Sequence, residues 1–209
     1  MVLLWGFIVR IKYLIFLSLL MCLTLRAETT LNAPLGLQWG DSGKDLVQKY
    51  AAEESKEHSE LSLYKINKPP ISLKDIDEVY GAVDKKYGLV RVILITNFLN
   101  DEYGLDGLGL YKKYKKILTE KYGAPESYEF ISRKVYTSKD EFYECLRYKG
   151  CGGYSSFFLS DDNPAGLYIT LVGFERGEGE LRIFYESPDL KKAEREDDES
   201  SIDKAKTGL

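Results

Sequence analysis

Histidine is almost absent from this 209-residue chain, in which His58 supplies the single imidazole. Ser-His-Asp and Cys-His catalysis need a base beside the nucleophile, so His58 is the one candidate for that role. It ends a polar run, residues 53–58, that is typical of a solvated loop, and we favour this reading over a catalytic base. A single histidine without free thiols also excludes the usual zinc sites, which combine several His and Cys ligands.

Cysteine is scarce as well, and the residues of this type are Cys22, Cys145 and Cys151. Cys22 lies in an apolar N-terminal segment that we expect to be removed, which leaves an even pair. In an oxidising compartment such a pair most simply forms a disulfide. A redox-active pair is usually Cys-x-x-Cys with a lowered thiol pKa, whereas five residues separate this pair and no histidine is near. We therefore predict a structural disulfide between Cys145 and Cys151.

Positive charge is not in excess, because the chain has 29 basic and 33 acidic residues. Three basic residues and no acidic residue lie in the first 27 positions, so the remainder carries 26 against 33, a net charge of −7. Nucleic-acid binding needs a concentrated basic patch, and peripheral binding to anionic lipid needs positive charge as well. The acidic balance argues against both kinds of partner.

Long hydrophobic runs are confined to the N-terminus, where residues 13–25 are densely apolar. Arg10 and Lys12 precede this run, and Ala27 follows it. A basic region, a short apolar region and a small residue before the cut describe a secretory signal peptide. We expect residues 1–27 to be that signal and the mature protein to be periplasmic or secreted.

Two alternatives to a cleaved signal stay open. An uncleaved anchor is the first, although the apolar run is shorter than the about 20 residues that a membrane span needs. Residues 19–22 are similar to a lipobox that ends at Cys22, with Met21 where a small residue is expected, so lipidation is the second. Contact with a membrane is expected only in these two cases.

Periodicity and turn residues predict a single α+β domain over residues 28–187. Apolar residues at helical spacing predict helices over residues 42–54 and 108–122. A capping box at residues 138–141 predicts a short helix that carries Cys145. Alternating or apolar segments bounded by turn residues predict strands over 35–39, 61–66, 78–83, 89–99, 127–132, 154–159, 167–174 and 181–185.

This order of elements favours a mostly antiparallel sheet, with the two main helices packed on one face and a short disulfide-tied helix. Residues 188–209 form a highly charged tail, which is either a solvated helix or disorder. No convincing internal repeat is present. Two strand–helix units, residues 36–50 and 88–123, are nevertheless faintly alike and hint at a duplication.

Three segments carry a resemblance to a known family. They read Gly-Leu-Gln-Trp-Gly-Asp-Ser at 36–42, Lys-Tyr-Gly-Ala-Pro at 121–125, and Asp-Glu-Phe-Tyr-Glu-Cys-Leu at 140–146 followed by Gly-Cys-Gly at 150–152. Together they resemble a family of exported bacterial proteins of uncharacterised function, over residues 35–185, and the third segment is the specific one. The opening is also similar to small envelope modules of the β-lactamase-inhibitor-like type. That analogy of fold implies a binding module and no activity.

Other motifs are weak. The glycine-rich residues 104–109 precede a helix, but they lack the order of a dinucleotide or P-loop motif, so we predict a helix-entry turn. Asn100, Asp101 and Glu102 with Asp106, and the acidic turn 161–163, are candidates for calcium, yet neither has EF-hand spacing and ordinary turn residues are the simpler interpretation. A pair of carboxylates for sugar cleavage stays an open alternative, because their separation is set by the fold.

Tyrosine is abundant, with 16 residues, and tyrosine-rich surfaces often bind partners. The candidate binding residues lie near the disulfide, although core and sheet positions are the simpler interpretation of them: Phe142, Tyr143, Tyr148 and Tyr154. No cofactor and no metal is expected. We expect an exported, non-enzymatic binding or interaction module whose partner is another envelope protein or a small ligand. The alternatives are a carboxylate-dependent envelope hydrolase and a structural envelope protein retained by its N-terminal segment.

Overall fold

The computed structural model describes residues 31–58, 61–132, 134–159, 163 and 165–208, and residues 31–209 form one compact unit. The predicted signal peptide, its alternatives at Cys22 and the acidic pair at 161–162 lie outside the described residues. Within the part of the chain that the structure describes, no helix is both long and apolar enough to cross a membrane.

Eight antiparallel strands form one sheet, in the spatial order β1-β2-β3-β4-β8-β7-β6-β5. The strands are β1 (Glu53–His58), β2 (Leu61–Lys65), β3 (Glu78–Asp84), β4 (Gly88–Phe98), β5 (Glu126–Ile131), β6 (Gly152–Phe157), β7 (Gly166–Glu175) and β8 (Glu178–Glu186). The α+β class and the antiparallel sheet are confirmed.

In the described part of the chain, four α-helices accompany the sheet: α1 (Gly43–Tyr50), α2 (Leu105–Tyr122), α3 (Phe142–Arg147) and α4 (Leu190–Gly208). α1 begins at a capping box, in which the Ser42 hydroxyl accepts from the Asp45 N–H and the Asp45 carboxylate accepts from the Ser42 N–H. It ends where Ala51 adopts a left-handed backbone. The predicted disulfide is present, since Cys145 of α3 and Cys151 are bonded to each other.

The chain traces the same path twice. α1 is followed by the four-stranded meander β1–β4, and α2 is followed by β5–β8, with α3 inserted between β5 and β6. The fourth strands of the two halves, β4 and β8, pair with each other at the centre of the sheet. The topology therefore has the form of a duplicated helix-plus-meander unit. The two segments that are faintly alike in sequence do not match this unit, because residues 35–39 are not a strand.

Alternation along the central strands gives the sheet two different faces. Val92 and Leu94 of β4 are buried, and they belong to one core with Leu46 of α1 and Tyr111 of α2. The Tyr111 hydroxyl also lies 2.7 Å from the hydroxyl of the buried Ser156 on β6. The residues between these positions are half-buried, and we call the side that they form the open face: Arg91, Ile93, Ile95, Tyr168, Thr170, Val172, Glu180, Arg182, Phe184 and Glu186.

Two predicted elements are different in the structure, and the structure decides between the two alternatives for a third. Residues 35–39 are not a strand, because the chain makes a 3₁₀ turn at Pro34–Gly36 in which Leu35 has a positive φ. The polar run that ends at His58 is the edge strand β1 rather than a loop. The charged tail is the helix α4, one of its two predicted alternatives, and the first turns of α4 bury Leu190 and Ala193.

Candidate functional site

One residue from each strand lies in register across the full width of the sheet. Consecutive partners in this cross-strand row are Glu126, Phe157, Tyr168, Phe184, Ile93, Tyr80, Lys65 and Glu53. Because strands are about 4.8 Å apart, the seven intervals of the row span roughly 33 Å. The middle of the row is apolar and aromatic, and charged residues stand at its ends.

Four rings form a continuous aromatic row on the open face: Tyr128, Phe157, Tyr168 and Phe184. The rings of Tyr168 and Phe184 stack with centroids 4.5 Å apart, and those of Phe157 and Tyr168 stack at 5.5 Å. Tyr128 meets the edge of Phe157 at 6.3 Å. Tyr128 and Phe157 are 56% and 41% exposed, so their end of the row is its most solvent-exposed part. Burial, aided by the nearby Glu186 carboxylate, raises the pKa of Tyr168 to about 12.

Stacking decides what the aromatic row can bind. Tyr168 lies between Phe157 and Phe184, so both of its ring faces are already in contact with neighbours. Sugars and nucleobases are bound through free ring faces. Tyr168 therefore has no free ring face, and the accessible ring surface of the row lies at Tyr128 and Phe157.

Charges around the row are neutralised by short ion pairs. Lys65 pairs with Glu78 at 2.6 Å on the β2–β3 side. On β8, the Glu180 carboxylate binds Arg182 at 2.6 Å, and the Glu186 carboxylate binds Arg91 of β4 at 2.8 Å. The hydrogen bond from Lys65 lowers the pKa of Glu78. With these charges paired, the centre of the open face is apolar and close to neutral.

The four residues predicted near the disulfide do not share a surface. Phe142 and Tyr143 are buried, with Tyr143 completely inaccessible, and Tyr154 is half-buried against the rings of Tyr111 and Phe142. Tyr148 is 51% exposed and touches the ring of Tyr136 beside an open cleft of about 490 Å³. Phe142, Tyr143 and Tyr154 therefore occupy the core and sheet positions of the simpler interpretation, and a binding role for Tyr148 stays a prediction.

The glycine-rich run 104–109 enters a helix, as predicted, but only Gly104 precedes α2, and residues 105–109 form the first residues of that helix. The Asp101 carboxylate accepts hydrogen bonds from the Leu105 N–H at 2.7 Å and the Gly107 N–H at 3.0 Å. These are first-turn amides of α2, which are the groups that would hold a phosphate. Because Asp101 already occupies them, the turn has no free anion site at these two amides.

The acidic turn around Asp101 was also a calcium candidate. Both carboxylate oxygens of Asp101 accept hydrogen bonds, and Oδ2 accepts one from the Tyr143 hydroxyl as well. Among the residues that the structure describes, no group of three or more His, Cys, Asp or Glu side chains is arranged to hold a metal ion. The role that the contacts give to Asp101 is to begin α2.

A second buried carboxylate lies at the start of the other half. Asp41 is 7% exposed and accepts hydrogen bonds from Lys49 at 2.6 Å and from the Tyr50 hydroxyl at 2.9 Å. Its backbone joins the N-terminal segment to β4, since the Asp41 carbonyl accepts from the Leu89 N–H. Asp101 thus holds the start of α2, whereas Asp41 holds the last turn of α1, and both are structural uses of a carboxylate.

Sequence reasoning missed the open face as a site. Phe157, Tyr168 and Phe184 are far apart in the chain, and only the strand order and register bring them together. The available signal was the alternation within residues 167–174 and 181–185, which places Tyr168 and Phe184 opposite to the buried positions of their strands.

No family model, no curated protein and no solved structure matches the chain.

Proposed function

We propose that this protein is an exported, non-enzymatic binding module that holds a partner protein against the open face of its sheet. In this proposal α1 and α2 cover one face, and the opposite face carries the function. The observation that carries it is the aromatic row of Tyr128, Phe157, Tyr168 and Phe184 on a surface whose charges are paired. Aromatic residues with few unpaired charges are the composition of a protein-binding centre.

The dimensions of the open face favour a macromolecule over a small ligand. A cross-strand row of roughly 33 Å, over strands that span about 17–20 Å, gives an area on the order of 600 Å². A standard protein interface uses about 800 Å² on each partner. Small ligands prefer enclosed clefts, whereas the open face is a broad sheet surface.

An extracytoplasmic location is supported by the disulfide. Bonds of this kind persist in oxidising compartments and are rare in the cytoplasm. The basic and apolar pattern of residues 1–27 agrees with export, and the partner in this proposal is therefore another protein of the cell envelope. The resemblance to exported proteins points the same way.

The test is site-specific photo-crosslinking in intact cells, followed by mass spectrometry. A photoreactive residue at Phe157 reports on the open face, and one at Ile117, which is 45% exposed on α2, serves as the matched control. We expect one dominant protein to be crosslinked from position 157 and not from position 117. Crosslinks from neither position, or equally from both, contradict the proposal.

Insertion of a charge then tests whether the aromatic row binds the crosslinked protein. Phe157→Lys inserts a positive charge into the row, while Val47→Lys places the same charge at a 49% exposed position on α1. We expect Phe157→Lys to weaken binding of that purified protein about tenfold or more, as loss of an aromatic anchor does. Val47→Lys should leave the affinity unchanged. Equal effects of the two substitutions would reject the open face.

The two alternative functions have their own tests. A hydrolase acting on envelope glycans would release reducing sugars from purified cell-wall material, and that activity would fall on substitution of a pair of acids. A structural envelope protein would be recovered uncleaved in the membrane fraction. The contacts of Asp41 and Asp101 described above supply no observation in favour of the hydrolase.

A further inference from the structure

The two edges of the sheet are built differently. β1 has the sequence Glu-Glu-Ser-Lys-Glu-His and a register shift between Glu54 and Lys56. Charged side chains and irregular pairing are the means by which proteins prevent an edge strand from joining another sheet. β5 has no lysine, proline or register shift, and it exposes Tyr128 and Phe130 at 56% and 47%. β1 thus combines a lysine with irregular pairing, whereas β5 carries two glutamates, regular pairing and exposed aromatic rings.

β5 is paired with a neighbouring strand, β6, along one side of its backbone. The Ser132 N–H donates to the Cys151 carbonyl at 2.7 Å, so residue 132 points its backbone groups toward the β6 side. Alternate residues of a strand point the same way, so residues 126, 128 and 130 also face β6. The N–H and C=O groups of Ser127, Glu129 and Ile131 therefore face away from the sheet, because β5 is its last strand. An extended strand is what satisfies such groups.

We propose that β5 pairs antiparallel with β5 of a second copy of this chain, about a two-fold axis at Tyr128. In this register Tyr128 faces Tyr128 of the second copy, Glu126 faces Phe130, and Ser127 faces Glu129. Ser127 and Glu129 exchange the outward backbone hydrogen bonds, so the dimer gains four such bonds across its axis. The two sheets become one of sixteen strands, and the two aromatic rows meet at their Tyr128 ends.

Charge disfavours one of the alternative symmetric registers. An axis at Glu129 would place two carboxylates directly opposite each other, which destabilises a strand pair. With the axis at Tyr128 no acid faces an acid, and the apolar ring of Phe130 lies across from the stem of Glu126. Glu129 is further neutralised by Lys115, whose hydrogen bond and charge, together with the Tyr111 hydroxyl, outweigh burial and lower the pKa of this carboxyl.

A second copy fits the edge because the strand is complementary to itself. An isologous contact of this kind closes as a two-fold dimer and leaves the protected β1 edges at the two ends. The chain as a whole is acidic, with 33 acidic and 29 basic residues, so two copies repel at long range. Salt screens that repulsion, and the dimer should therefore tighten as ionic strength rises.

The first test is sedimentation equilibrium of the full-length gene product over a range of concentrations and salt. We expect a monomer–dimer equilibrium. Tyr128→Lys sets two lysines opposite each other and should raise the dissociation constant about tenfold or more. Ser55→Lys, on the exposed β1 edge, is the matched control and should leave it unchanged. A monomer at every concentration, or a dimer that Tyr128→Lys does not weaken, overturns the proposal.

The second test fixes the register. Residues directly opposite each other in an antiparallel pair have Cα atoms about 4.5–5.5 Å apart, which is within the range of a disulfide. Tyr128→Cys should therefore give a covalent dimer when oxidised glutathione is added, and reduction should reverse it. The unsubstituted protein accounts for any bond through Cys22, and Ser55→Cys controls for random collision. Equal crosslinking of Ser55→Cys and Tyr128→Cys rejects the pairing.

Discussion

The hydroxyl of Tyr143 donates a 2.9 Å hydrogen bond to Oδ2 of Asp101, which lies 42 residues earlier in the chain. The same carboxylate accepts from the Leu105 and Gly107 amides that begin α2. One buried acid thus joins the disulfide-tied α3 to the start of the long helix. The contact ties α3, which is only six residues long, to the start of α2.

Tyr143→Phe removes this hydrogen bond and keeps the ring. Because Tyr143 is fully buried, we expect the free energy of unfolding to fall by about 1–2 kcal/mol. Tyr148→Phe, at a 51% exposed position, is the matched control and should change it by less than about 0.5 kcal/mol. Urea denaturation of the purified variants measures both. If the two variants were equally stable, the Tyr143–Asp101 contact would have no measurable energetic role.

Glycine is required where α3 crosses the sheet. Gly173 of β7 and Gly179 of β8 face each other, and a Cβ on Gly173 would collide with the Tyr143 backbone carbonyl. Gly173→Ala should therefore destabilise the protein by about 1–3 kcal/mol, the usual cost of overpacking. Gly109→Ala in α2 meets nothing within 4 Å and should stabilise by about 0.5–1 kcal/mol. Thermal unfolding of the pair gives the sign of each change.

Several buried tyrosines make the fold sensitive to alkali. Burial, reinforced by the Asp101 carboxylate, raises the pKa of Tyr143, and burial raises the pKa of Tyr111 and Tyr185 too. The pKa values of these tyrosines in the folded protein lie above the value of about 10 in the unfolded chain. Their contribution to the free energy of unfolding is therefore fully present below pH 10 and is lost as the pH rises above it. We expect the free energy of unfolding to fall by about 1.4 kcal/mol per pH unit for each such tyrosine.

Urea midpoints at pH 8, 10 and 11 measure this alkaline loss, with tyrosinate absorbance recorded in parallel. Tyr143→Phe should reduce the decrease in the free energy of unfolding per pH unit above pH 10 by the amount expected for one tyrosine. A midpoint that stayed constant through pH 11 would show that these hydroxyls ionise freely in the folded protein.

Local patterns predicted the strands that have strong alternation and a clear turn. The β3–β4 hairpin is an example, since apolar residues alternate on both sides of the turn before Gly88. β1 was missed because Glu53–His58 has no apolar alternation, and only pairing with β2 makes it a strand. The turn at Pro34–Gly36 was read as a strand because Leu35 and Leu37 alternate, while the positive φ of Leu35 has no sequence signal.

The candidate site was harder to predict than the elements. Phe157 and Tyr168 touch because β6 and β7 pair in one register, and Phe184 joins them because β8 lies between β7 and β4. A one-residue slip would move each ring to the other face of the sheet. The disulfide was predictable because an even pair of cysteines leaves one choice of partner.

The disulfide should contribute modestly to stability. Cys145 and Cys151 are both 1% exposed, and only six positions separate them. Closing so short a loop in the unfolded chain is worth about 2 kcal/mol. The double variant Cys145→Ala and Cys151→Ala should lose about this amount and stay folded, as measured by urea denaturation under non-reducing conditions. Complete unfolding of the double variant would mean that the bond holds α3 in place in the folded state.

The last helix has a buried beginning and a solvated remainder. Leu190 and Ala193 are 2% and 7% exposed, and Glu196 accepts hydrogen bonds from Lys86 and Tyr87 of the β3–β4 turn. Residues 199–207 are exposed. Removal of residues 199–209 should therefore change the free energy of unfolding by less than about 0.5 kcal/mol. Removal of residues 188–209 should cost about 2–3 kcal/mol, chiefly for Leu190. If neither truncation changed the free energy of unfolding, the compact domain would end near residue 187. A larger decrease for removal of residues 188–209 would show that the first turns of α4 belong to the core.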